Sequence, residues 1–83
     1  MTAYPDERVR ARAVELLRAA ADLVVRGEPF ALLEAERRMG LIAPRDEASV
    51  VARAALAHVG GERTEVQLLE AAIVLEGGWE PPR

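Results

Sequence analysis

The sequence predicts an all-α fold, a compact four-helix domain with a short C-terminal tail. Three observations carry that expectation. Apolar residues recur at the three- and four-residue spacing of helices. Pro and Gly punctuate the chain at Pro5, Gly27, Pro29, Gly40, Pro44, Gly60-Gly61 and Gly77-Gly78, where helices would begin and end. No stretch alternates apolar and polar residues in the manner of a half-buried strand. Helices are expected near residues 5–26, 29–39, 45–59 and 64–76, with 1–78 forming one helical domain and 79–83 a tail.

The first segment, PDERVRARAVELLRAAADLVVRG, starts with Pro at a first helical position and with Asp6 and Glu7, whose charge complements the positive end of the helix dipole. Arg26 stands where a cation helps, and Gly27 can adopt the left-handed closing conformation. Arg8, Arg12, Glu15, Arg18, Asp22 and Arg26 fall three or four apart and form one charged stripe. Val9, Ala13, Leu16, Ala20, Leu23 and Val24 line the opposite face. Arg10 points away from Arg8 and Arg12 on a helix, and the surrounding Asp6, Glu7 and Glu15 dilute the cluster, so the expectation for these arginines is a solvated face.

The second segment, PFALLEAERRM, is opened by Pro29 and closed by Gly40, with Phe30, Leu32, Leu33, Ala35 and Met39 at helical spacing. Arg37-Arg38 lies beside Glu34 and Glu36 and reads as another solvated face. The third begins between Pro44 and Glu47 and ends before Gly60-Gly61, with Ala48, Val51, Ala55 and Val59 facing inward. The fourth has the clearest start, because Thr64 to Gln67 fits a capping box. In VQLLEAAIVL only Gln67 and Glu70 interrupt the apolar residues, and Val74 falls where their polar stripe should continue. A helix apolar nearly all round is buried at the centre or covered by another chain.

Composition narrows the functional classes. The chain has 83 residues, 51% of them apolar, but Tyr4, Phe30 and Trp79 are its only aromatics. A core of Ala, Leu and Val offers little area per residue, and with no cysteine there is neither a disulfide nor a thiolate zinc site to reinforce it. Such a thin core favours self-association or a lasting partner. Lys and Asn are absent, and every basic side chain is Arg, which we read as the mark of a GC-rich bacterial genome. Over residues 1–59 nine arginines balance nine carboxylates, whereas residues 60–83 hold Arg63 and Arg83 against five glutamates. The net charge of −3 therefore belongs to the C-terminal quarter, which disfavours a nucleic-acid surface there. No apolar run reaches the roughly 18 residues of a membrane span, and MTAYPDERVR is polar too early for a signal peptide. A cytoplasmic protein without membrane association is expected.

Ala31 to Leu56 has the outline of a DNA-reading helix-turn-helix, with Arg45, Ser49 and Arg53 as its contacts. The break from Gly40 to Arg45 is longer than the usual turn, and Asp46 and Glu47 stand where phosphates would approach. No basic arm supplies the phosphate contacts that normally carry much of the affinity. His58, the only histidine, has Ala55 where a bundle metal site would want Glu. Ser49, the only serine, gives a small acidic helical chain the outline of an acyl-carrier protein, but Ala48 precedes it where that family has Asp; Asp46 and Ser49 read better as helix-start chemistry. Trp79 reads first as a cap on the bundle and second as part of a partner-binding tail.

The resulting expectation is a non-enzymatic interaction module with no cofactor and no metal, an adaptor working by helix packing with a second copy in a dimer or with another protein. Val66, Leu69, Ile73, Val74 and Trp79 are the expected contact residues. A helix-turn-helix regulator is the alternative.

Overall fold

A computed structural model describes residues 5–26, 37, 46–61 and 65–82. Every regular element among them is a helix: α1 (Glu7–Val25), α2 (Glu47–Val59) and α3 (Glu65–Glu76). These correspond to the first, third and fourth expected segments. The expected helix at 29–39 lies outside the described residues except for Arg37, which is helical.

The starts of α1 and α2 are built alike. Asp6 is extended, and its Oδ1 accepts a hydrogen bond from the Val9 amide at 2.9 Å. Asp46 does the same for the Ser49 amide at 2.8 Å and also accepts from the Ser49 hydroxyl at 2.7 Å. Each short side chain satisfies donors that the first helical turn leaves without partners. This is the helix-start chemistry expected of Asp46 and Ser49. At the end of α1 the Arg26 amide donates to the Asp22 carbonyl at 3.3 Å, and the Arg26 side chain pairs with the Asp22 carboxylate; Gly27, the expected closing residue, lies outside the described segment.

Between α2 and α3 the chain reverses through Gly60 and Gly61, at φ +67° and +79°. Only glycine takes such angles without strain, and a side chain at Gly61 would also run into the Gln67 amide. Gln67 Nε2 donates to the Gly60 carbonyl at 3.2 Å, which ties the turn to α3. Thr64, the other half of the expected capping box, lies outside the described residues.

All three helices pack on one another, most extensively α1 with α3. Leu17, Leu68, Leu75 and Val51 are the largest fully enclosed side chains, and alanines, among them Ala13, Ala20, Ala52, Ala55 and Ala71, occupy most of the remaining core positions. The buried arc of α1 is wider than its apolar stripe suggests. Val14, Leu17 and Ala21 join Ala13, Leu16 and Ala20, while Val9, Leu23 and Val24 sit at its margin. The cause is that α1 meets two helices rather than one. Small residues let the backbones approach closely, at the cost of apolar area. The start of α2 lies beside Arg8, Val9 and Arg12 of α1. Among the described residues no helix is long and apolar enough to cross a membrane.

Candidate functional site

The third helix carries apolar side chains on both faces. Leu68, Ala71, Ala72 and Leu75 point into the core. On the other side Val66, Leu69 and Ile73 are 55%, 40% and 64% exposed. At 100° per residue these three fall within an arc of about 60°, so they form one continuous stripe rather than scattered contacts. Glu70 borders the stripe on one side and Glu65 and Glu76 on the other, with Glu70 and Glu76 exposed. Glu76 pairs with Arg18 of α1; among the described residues Glu65 and Glu70 make no ion pair.

The five expected contact residues therefore divide. Val66, Leu69 and Ile73 share the exposed stripe. Val74 is half-buried against the core, and its carbonyl accepts from the Trp79 amide at 3.0 Å. Trp79 is half-buried as well and packs on the core. Its ring stacks on His58 of α2, with centroids 4.5 Å apart and planes 23° from parallel. Pro81 beyond it is buried. The segment after α3 thus folds back across the ends of the helices, with Gly78 at φ +96° making the bend.

Arg10 holds that segment in place. Its guanidinium donates to the Leu75 carbonyl at 2.6 Å and to the Trp79 carbonyl at 2.8 Å. The last carbonyls of a helix lack partners within it, and α3 has no basic residue in its own last turn. A cation from α1 takes that role. This corrects the expectation that all three arginines Arg8, Arg10 and Arg12 are solvated: Arg8 and Arg12 are exposed, but Arg10 is half-buried and bonded. A signal was present in the sequence, since Arg10 lies off the charged stripe, and the fourth segment ends Glu76-Gly77-Gly78 without a cation. Arg10 and Arg18 also line an open groove of about 470 Å³ with Glu7, Val14, Glu15 and Glu76; Arg10 and Arg18 engage α3 and the segment after it, and Glu15 pairs with Arg12.

Of the residues considered for DNA contact, Arg45 lies outside the described segments. Ser49 is buried, with its hydroxyl turned to Asp46. Arg53 is exposed on α2. The two hydrogen bonds from Ser49, backbone first and side chain second, hold the Asp46 carboxyl below its ordinary value of 3.8, and the charge of Arg12 adds to the effect. Among the described residues no three His, Cys, Asp or Glu side chains gather as a metal site would require. No family model matches the chain, and neither a curated protein nor a solved structure is similar to it.

Proposed function

We propose that the protein is a small non-enzymatic interaction module, a cytoplasmic adaptor that acts by packing the outer face of α3 against another polypeptide. The observation that carries this reading is the stripe of Val66, Leu69 and Ile73, exposed on a helix whose opposite face is already buried in the core. Burying such side chains recovers roughly 25 cal/mol per Å² of apolar surface, so a partner helix laid along the stripe gains what the monomer leaves unused. The domain itself is read as four helices, the fourth being residues 29–39. Its support is that Arg37 is helical and that the start of α2 lies beside residues 8–12 of α1, away from that helix's C-terminus.

The test is a tagged pull-down from the native cell with nuclease present, comparing the unaltered chain with Ile73→Glu. A stoichiometric protein recovered by the first and lost by the second supports the adaptor. If Ile73→Glu retains every partner, the stripe is not the working surface. DNA recovered only when nuclease is omitted would replace the proposal with a reading head at Ala31–Leu56.

A further inference from the structure

We propose that the α3 stripe receives a basic amphipathic helix of a partner protein, about three turns long, in preference to a second copy of this chain. The inference rests on the interaction-module reading and specifies its partner. Three features select the occupant. The stripe is about 60° wide and runs the length of a 12-residue helix, so its natural complement is one helix with apolar residues at i, i+3 and i+7. Its rims carry a glutamate on each side that makes no ion pair among the described residues, Glu70 along one and Glu65 along the other, while Glu76 is already paired with Arg18. From Glu65 to Pro82 there are four glutamates and no cation. Placing the same face of a second copy against it would bring glutamate rims together, which is unfavourable. A helix with Arg or Lys beside its apolar residues would instead meet the rims with opposite charge.

Size points the same way. A helix of this length is about 18 Å long and 10 Å across, so its outer face offers roughly 200 Å², well below the ~800 Å² per partner of a standard stable interface. A short docked helix suits that area. The chain's own segment 28–45 is a poorer complement, since its three arginines are offset by three glutamates.

The experiment uses the full chain labelled at isoleucine methyls. Ile42 and Ile73 are the only isoleucines, so the stripe reports through one signal. Two model peptides of about 14 residues are titrated, both with the same leucine stripe, one flanked by Arg and the other by Glu. The Arg-flanked peptide is expected to shift the Ile73 signal and to bind at least tenfold more tightly than its counterpart. Raising salt should weaken it, and Glu70→Arg should narrow the preference. Equal binding of the two peptides, or none, overturns the proposal.

Two further outcomes also overturn it and name the true occupant. An Ile73 signal that moves with protein concentration, in step with a dimer that Ile73→Glu dissolves, assigns the stripe to a second copy. Nuclear Overhauser contacts from Ile73 to the Phe30 ring that persist on dilution assign it to the chain's own segment. The adaptor reading survives the first of these and stands or falls on the pull-down.

Discussion

Arg10 and Asp46 show how single polar side chains hold this Ala-rich molecule together. Arg10 bridges two carbonyls at the end of α3, one on each side of the Gly77-Gly78 bend. Hydrogen bonds from a charged donor contribute about 1.5–3 kcal/mol when well enclosed; Arg10 is only half-buried, so about 1 kcal/mol is the appropriate scale. Arg10→Met keeps the aliphatic stem but removes both bonds. It is expected to lower the urea midpoint accordingly and to shift the emission of Trp79, the sole tryptophan, to the red. An unchanged spectrum would show that the His58 stack alone secures the ring. At Asp46 the sign of the pH effect follows from the direction of the shift. The folded carboxyl is held below 3.8, so its contribution is present above that value and is lost as pH falls through the lower folded value. Stability should therefore decline below about pH 4 in part through Asp46. Asp46→Asn, which retains a capping oxygen, should flatten that decline in urea titrations between neutral and acid pH. A decline identical to that of the unaltered chain would remove Asp46 from the account.

At the scale of the helix, α3 has one buried and one exposed apolar face, and substitutions on the two should behave as differently as their burial. Leu68 is fully enclosed, and large-to-small changes at such sites cost about 2–5 kcal/mol. That is comparable to the whole stability of a domain this small, so Leu68→Ala should leave the chain largely unfolded by circular dichroism. Ile73→Glu alters an exposed position and should stay within about 0.5 kcal/mol of the unaltered chain. If Ile73→Glu unfolds the chain too, the stripe is core and the docking surface does not exist. The existence of two faces was legible in the near-absence of polar residues from VQLLEAAIVL. Their orientation was not, because neighbouring elements decide which arc is covered. Val74 breaks the polar stripe and looks like a contact residue, yet it lies on the arc that meets the core. Trp79 is drawn inward for a reason outside its own segment, namely the Arg10 bonds and the ring of His58. The widened buried arc of α1 has the same origin, since α2 and α3 both pack on that helix.

For the molecule as a whole, the boundaries of α1, α2 and α3 were readable to within two residues, because Asp6, Asp46 and Gly60 act locally through their own backbone neighbours. The connection between α1 and α2 is the larger question. The end of α1 at Val25 is about 24 Å along the helix from Val9, beside which α2 begins. The 19 residues between Arg26 and Asp46 must cover that return. Fully extended they would reach about 60 Å, far more than required. An 11-residue helix at 29–39 takes up about 16 Å and leaves short links at either end; it would lay Phe30 and Leu33 on one face and Leu32, Ala35 and Met39 on the other. Proline at its centre removes a backbone donor and clashes with the preceding turn, which costs about 3 kcal/mol or more. Leu33→Pro is therefore expected to reduce the helical circular-dichroism signal and the urea midpoint together. In an irregular link, proline would change stability by less than about 1 kcal/mol. A Leu33→Pro chain with unaltered helical signal and stability would reduce the domain to three helices joined by a long link.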